Sequence, residues 1–415
     1  MSTTTAMSPV IRRVLLGNSL SALGNGLTIP LLIVYLGQVR DLGTATAGLV
    51  LTVMALVTLV LMPATGILVD RLGPRPVLIG GLLVQSLGVA LLTQVTSAGS
   101  AFAIAAIVAA GSAFTWSPQA ALLGRLTMPS QRQRVFGIQF MLLNLGIGLG
   151  GLVSATIANV EAPDTFVVLY LLDAASFLAY VVVLLTLKGV GMGPAPGPVQ
   201  GAGDTPHPPG GYREVFGDRT LLRIVMLGLV LLTCGYGSLM VGMPIFVTVV
   251  NGLSVSWVGI AFAVNTATIV VAQLTVIRLI DNRSRSRVLA MIAGLWAASW
   301  VIMGVTGLLP PALSIAGILL SSAVFAVGET FWSPVAPALI NDLAPDHLRG
   351  RYNSVQSLVW GVSGALGPAL AGLLLGSGLV AVWVALIVLG CAVAAVMALR
   401  LRSHLTPALD GRATR

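Results

Sequence analysis

Phe325 to Arg351 reads FAVGETFWSPVAPALINDLAPDHLRGR. One carboxylate, Glu329, sits in an otherwise apolar helical run, which passes through Trp332-Ser333-Pro334 into a loop closed by Arg349 and Arg351. The same plan occurs earlier. Thr115-Trp116-Ser117-Pro118 leads through Pro129 to Arg132 and Arg134, and Trp116, Pro118 and Pro129 recur at one constant spacing as Trp332, Pro334 and Pro345. At the position of Glu329 the earlier copy has Ala113. The chain therefore reads as two related halves, and only one carries this charge.

Composition decides the class. Of 415 residues, 56% are hydrophobic and 8% charged, whereas water-soluble domains carry about a quarter charged residues. Apolar runs near the length of a membrane-crossing helix recur throughout. They lack the two-residue alternation of a barrel, and an open sheet could not satisfy its backbone in lipid. The expected fold is an all-α polytopic membrane protein, with twelve transmembrane helices in two pseudo-symmetric six-helix halves. A net charge of +9 does not indicate nucleic-acid binding, because the charges lie in short loops without aromatic interleaving. They read as an orientation signal. The opening MSTTTAMSPVIRR reads as a short polar tail rather than a cleaved signal, since the first apolar run is too long and lacks a cleavage site. Cys234 and Cys391 both fall in apolar spans and read as buried hydrophobes.

The spans are expected near 12–36, 45–69, 76–97, 101–126, 135–158, 166–187, 221–249, 257–280, 288–308, 313–340, 352–375 and 379–400. If the N-terminus is inside, Arg40 alone among 22 basic residues lies outside, so both termini are expected in the cytoplasm. Gly189 to Gly211 is rich in Gly and Pro and reads as a mobile tether, with its His207 solvated. Tyr212 to Arg223 reads as a short amphipathic helix on the membrane surface. The expected domains are the N-terminal six-helix half 1–188, the flexible cytoplasmic linker 189–211, the C-terminal half 212–402 with its leading amphipathic helix, and the cytoplasmic tail 403–415.

A second echo relates Asp70-Arg71-Leu72-Gly73-Pro74-Arg75, after the second span, to Asp281-Asn282-Arg283-Ser284-Arg285-Ser286, after the eighth. The first of these, with Gly66 and Leu68 before it, resembles the loop signature G-x-L-x-D-R-x-G-x-R/K of the major facilitator superfamily, matching at Gly66, Leu68, Asp70, Arg71, Gly73 and Arg75. The resemblance covers the whole chain through its twelve spans, two halves and tether. It implies that Gly66, Asp70, Arg71, Gly73 and Arg75 form a conformational latch favouring an outward-facing state. The competing reading is a solvated turn that only sets topology. On the fifth span Gly146, Gly150 and Gly151 fit the exporter pattern G-x-x-x-G-P-x-x-G-G, while Leu142 and Ile147 replace its first Gly and its Pro. The nearest look-alikes are bacterial twelve-span drug and metabolite exporters.

Among residues that could carry chemistry, Glu329 lies about 18 Å from the inner end of its span at 1.5 Å per residue, near the bilayer midplane. An acid there faces a cavity or a partner, and it reads as a proton carrier or the counter-charge of a cationic substrate. The alternative is a packing hydrogen bond. Asp173 is the other intramembrane acid. Its span packs at the periphery in the resembled family, so a structural hydrogen bond competes with coupling. Asn18, Ser21, Asn25, Thr28 and Tyr35 make a helical stripe on the first span. Together with Trp116, Gln139, Asn144, Tyr236, Met240, Asn265, Trp332, Gln356 and Trp360 they are candidates to line a substrate cavity, against a reading as interhelical glue.

The expected function is a secondary transporter exporting a small amphipathic or lipophilic compound in exchange for protons, by alternating access. Alternatives are a proton-coupled importer of a neutral metabolite or sugar, and a non-transporting sensor on the same scaffold. No enzyme is expected: three His and two Cys form no metal spacing, and no nucleophile has a base beside it. No cofactor or metal is implied. The partners would be a small-molecule substrate, protons and the lipid bilayer, with the protein acting as a monomer in a bacterial cytoplasmic membrane.

Overall fold

A computed structural model describes residues 7–187, 189–193, 211–281 and 283–412. Among the described residues are twelve helices long and apolar enough to cross a membrane: Pro9–Val39, Ala45–Leu72, Pro74–Leu92, Ala98–Leu126, Pro129–Ile157, Asp164–Leu185, Arg219–Val250, Ser256–Ile280, Arg285–Thr306, Pro311–Leu343, Asp346–Gly376 and Val380–His404. They are the twelve expected spans and are named here by their order. Sequence chemistry sets their ends. Pro74 and Pro129 open helices where a missing N–H costs nothing, and Ser97 and Ser100 form a reciprocal cap at the fourth span. Gly73, at φ +89°, is the single residue that turns the second span into the third.

Two compact units result. One takes the described residues within Met1–Val135, Gln139–Pro209 and Ala344–Ser354; the other takes Phe136–Ile138, Gly210–Leu343 and Val355–Arg415. The loop that closes the opening stretch thus belongs to the first unit. Each unit brings two helices into close approach at paired glycines. A Cβ on Gly26 would collide with the Ile147 carbonyl and one on Gly150 with Leu23 of the first span, while a Cβ on Gly237 would collide with Ser363 and one on Gly367 with Gly237 itself.

The first and seventh spans end alike. Each closes on a π-helical turn, Tyr35–Val39 and Phe246–Val250. In the first, Arg40 N–H donates to Tyr35 O at 2.8 Å and Leu42 N–H to Leu36 O at 3.1 Å. In the seventh, Asn251 donates to Phe246 O and Leu253 to Val247 O, both at 3.0 Å. This correspondence extends the repeat into residues whose identities differ.

The connecting segments depart from expectation. Residues 194–210 of the linker, with His207, lie outside the described residues, as does Lys188. The linker's beginning is not a loose tether: Arg75 N–H donates to Gly191 O at 3.1 Å and Gly193 N–H to Leu72 O at 3.0 Å. The expected surface helix is also interrupted. It spans only Tyr212–Gly217, because Asp218 adopts an extended conformation and its carboxylate accepts from Thr220 N and Leu221 N to start the seventh span. Finally, the tail folds back through Asp410, as described below.

Candidate functional site

Glu329 lies in the tenth span and is 5% exposed. Its Oε2 accepts from Asn265 Nδ2 of the eighth span at 2.7 Å. Among the described residues no Lys, Arg or His forms an ion pair with it. Beside it the proline of the Trp-Ser-Pro step has a local consequence. Pro334 has no N–H to give the Thr330 carbonyl, four residues before it, and buried carbonyls need a donor. Gln273 Nε2 supplies that donor at 3.0 Å, and Ser333 Oγ donates in turn to Gln273 Oε1 at 3.4 Å. The eighth span therefore holds the tenth at two points two helical turns apart, Asn265 on the carboxylate and Gln273 on the freed carbonyl.

Aromatic rings flank this seam. Trp332 lies 6.3 Å from Trp296, which stacks on Phe325 at 4.9 Å and donates from Nε1 to the Phe325 carbonyl at 3.1 Å. Tyr236 meets Trp360 edge-on at 4.8 Å, and its phenol is within electrostatic reach of Glu329. Gln356 and Trp360 are half-buried, while Met240 is exposed. In the second unit the structure thus brings Glu329, Asn265, Tyr236, Trp332 and Trp360 into one neighbourhood. Trp116, the repeat partner of Trp332, is 53% exposed against 6% for Trp332. The two tryptophans do not share an environment.

In the first unit the stripe on the first span is divided. Thr28 Oγ1 donates to Asp173 Oδ2 at 2.5 Å, and Ser176 Oγ donates to the Asp173 carbonyl at 2.7 Å. A Cβ on Gly24 would collide with Ser176, so the first and sixth spans close tightly around the acid. Tyr35 donates to Leu92 O at 2.9 Å and packs between Phe166 and Tyr170. Arg40 Nε donates to its phenol oxygen at 2.7 Å. Thr28, Tyr35 and Asp173 are ties within one unit, and Ser21 is buried with them. The sequence left cavity lining and interhelical packing both open for this stripe; Thr28 and Tyr35 are tied inward because the sixth and third spans offer them partners. Asn18 and Asn25 remain half-buried. Gln139 Nε2 reaches Asn18 Oδ1 at 3.4 Å, and Asn144 donates to its own helix at Phe140 O.

The loop after the second span is a built structure. Asp70 Oδ1 accepts from Gly350 N at 2.6 Å, while Oδ2 accepts from Arg351 Nη1 at 2.9 Å and Arg351 N at 3.3 Å. The two charged side chains are 5% and 9% exposed. Gly350 has no alternative here, because a Cβ would sit 2.6 Å from both Asp70 Oδ1 and the Gly66 carbonyl. Arg75 is buried and its guanidinium donates to Leu185 O at 3.2 Å and Val190 O at 3.5 Å. Arg125 Nη1 donates to Gly193 O at 3.0 Å. Arg71 is exposed. Gly66, Asp70, Gly73 and Arg75 are therefore brought together, whereas Arg71 points away.

The equivalent loop of the second unit uses other residues. Asp281 is exposed. Arg285 pairs with Asp342, at the end of the tenth span, at 2.6 Å, and its Nη1 donates to Leu409 O at 3.1 Å. Asp410, fully buried, accepts from Ser286 N at 2.9 Å and Ser284 Oγ at 2.8 Å. Sequence reasoning missed Asp342 and Asp410. The available signal was two acids close to span ends in a chain with 13 acids in all.

The sequence matches the family model described as Major Facilitator Superfamily over residues 14–328 and 250–414. The chain belongs to the major facilitator superfamily. Among curated relatives, the multidrug resistance protein MdtH of Aeromonas salmonicida is 26% identical over 313 residues, covering 73% of this chain and 71% of that protein. The uncharacterized MFS-type transporter YhjO of Bacillus subtilis is 25% identical over 369 residues, covering 87% and 85%. Among solved structures, a bacterial homologue of the iron transporter ferroportin in an outward-facing state has a TM-score of 0.77 at 15% identity, covering 95% of this chain and 100% of that one. The E. coli fucose:proton symporter FucP has a TM-score of 0.74 at 15% identity, covering 94% and 98%. Likenesses at that identity concern the fold alone. As a member of the major facilitator superfamily, the chain is a multi-pass membrane transporter and not an enzyme.

Proposed function

We propose that this transporter exports a small amphipathic or lipophilic compound, neutral or cationic, in exchange for protons, with Glu329 as the group through which the two are coupled. The observation that carries this reading is the setting of Glu329: a buried carboxylate in a membrane span held by the Asn265 amide and, among the described residues, by no cation. A carboxylate at such depth is costly when charged and unpaired, and such residues mark ion or substrate pathways. A proton or a cationic substrate could each neutralise it, and competition for one carboxylate makes their movements opposed. Tyr236, Trp332 and Trp360 offer the flat apolar contacts that a lipophilic compound needs. The name of the MdtH relatives agrees with drug export.

On this reading Asp173 positions the first and sixth spans and takes no part in coupling, and the Asp70 loop acts as the conformational latch. The distribution of Arg supports a cytoplasmic position for both termini in a bacterial membrane, and on this reading the protein works as a monomer.

The test uses purified protein in proteoliposomes carrying an imposed pH gradient, with a fluorescent lipophilic cation as substrate. Glu329→Gln keeps a polar partner for Asn265 and removes the titrating group. Gradient-driven export is expected to fall to background, while exchange of labelled against unlabelled cation persists in part. Unchanged gradient-driven accumulation would remove Glu329 from the mechanism. Uptake into cells of a neutral metabolite down an inward proton gradient, without export, would instead favour the importer.

A further inference from the structure

The seventh span starts, and the twelfth ends, on the side of the membrane where the linker enters. Between those two helix ends lies a groove with roughly 710 Å³ of open space, lined by Leu222, Arg223, Met226, Met397, Arg400, Leu401 and His404. Its chemistry is graded along the helix axes. Arg223 lies one turn inside the start of the seventh span, and Arg400 one turn before the end of the twelfth, with His404 beyond it. Three residues deeper on each helix comes a methionine, Met226 and Met397. A cationic rim thus stands over an apolar floor, and among the described residues no carboxylate lines the groove.

Arg223, Arg400 and His404 are exposed, and Met226 is 50% exposed. The first unit does not repeat the feature. Where the first span matches the seventh, Arg12 stands for Arg223, but Ile11 and Leu15, in place of Leu222 and Met226, are 2% and 3% exposed. The matching site is filled with the protein's own side chains.

We propose that this groove binds one anionic phospholipid, its phosphate between Arg223 and Arg400 and an acyl chain along Met226 and Met397. The grading argues for lipid over a free anion. A small phosphate would use the guanidinium groups alone and leave the methionine floor facing solvent or bulk lipid, whereas a phospholipid satisfies both levels. Basic recesses between spans at the membrane surface take anionic headgroups for this reason. Methionine, unbranched and polarizable, conforms to a chain of variable shape. His404 Nδ1 lies 3.1 Å from the Arg400 carbonyl, which places the imidazole at the rim beside the proposed phosphate. The proposal is independent of what the transporter carries.

The test is a titration of the delipidated full chain with phosphatidylglycerol and, separately, phosphatidylcholine, read by native mass spectrometry. Phosphatidylglycerol is expected to bind at one site at least about five-fold more tightly, the value of one guanidinium near an anionic headgroup. Arg223→Gln with Arg400→Gln should weaken it about 25-fold on the same scale. Met226→Trp, which fills the floor and keeps both charges, should also weaken it. Arg213→Gln with Arg287→Gln, at exposed positions elsewhere on the second unit, should leave it unchanged. Equal binding of the two lipids, an equal loss in the control variant, or full binding in Met226→Trp would overturn the proposal. So would displacement by inorganic phosphate at a concentration matching the lipid, which would assign the rim to free anions.

Discussion

The loops after the second and eighth spans hold equivalent places in the two halves, yet they are fastened with opposite polarity. In the first unit the loop supplies the acid: Asp70 holds Gly350 and the Arg351 guanidinium. In the second the loop supplies the base: Arg285 holds Asp342, and the backbone at Ser286 is held by Asp410. Each loop is also covered by the chain that leaves the sixth helix of its unit, Val190–Gly193 in one and Leu409–Asp410 in the other. The two loops therefore share the architecture of the fastening but not the charges that make it. The echo Asp70/Asp281 is real as sequence and empty as chemistry, since Asp281 is exposed.

The largest effect in this comparison is expected at Asp70. Asp70→Ala removes the carboxylate that pairs with the buried Arg351 and accepts from the Gly350 N–H, and removal of one member of a buried pair costs about 3–5 kcal/mol. Its apparent unfolding temperature in detergent should fall clearly and transport should be lost. Hydrogen exchange should accelerate in residues 344–354, and protection there equal to wild type would show that the carboxylate does not hold the segment. Next comes Arg285→Ala, which removes the guanidinium that pairs with Asp342. Its cost should approach that of Asp70→Ala, with exchange rising at the end of the tenth span and at the tail rather than in the first unit.

Smaller again is Asp410→Ala. It removes the hydrogen bonds to Ser284 and Ser286 and the ion pair with the partly exposed Arg412, at about 1–3 kcal/mol. Limited proteolysis should then cut residues 405–412 faster while transport continues at a reduced rate. Asp281→Ala closes the series: an exposed side chain of this kind should change stability by less than about 0.5 kcal/mol. A drop as large as that of Asp70→Ala would mean that the two loops are fastened alike after all.

Much of the fold was legible before any coordinates, because lipid imposes a rule that sequence must obey locally. Twelve apolar runs can be little but twelve helices, and each span predicted from hydropathy is present. The glycines of the fifth span and the proline steps stood out in the sequence, and the structure gives them partners: Leu23 and Gly26 for Gly150, and Gln273 for the carbonyl that Pro334 frees. The candidate site was legible only in part. Glu329 stood out as a charge where none is cheap, but its holder Asn265 was one of many polar residues at helical spacing. The stripe of the first span shows the limit. Spacing placed Asn18, Ser21, Asn25, Thr28 and Tyr35 on related faces, yet it could not say that Thr28 would meet Asp173 and Tyr35 would meet Leu92.

Segment class, helix number, duplication and the presence of an acid in the middle of the tenth span were thus determined by the sequence itself, since each follows from local composition and the cost of polar groups in hydrocarbon. Which side chains meet was decided only by tertiary structure. Hydrogen bonds act over about 3 Å, so the partner of Asp173, Arg285 or Asp410 depends on how whole helices pack. Among the polar residues of this chain the sequence marks the participants; the packing chooses the pairs.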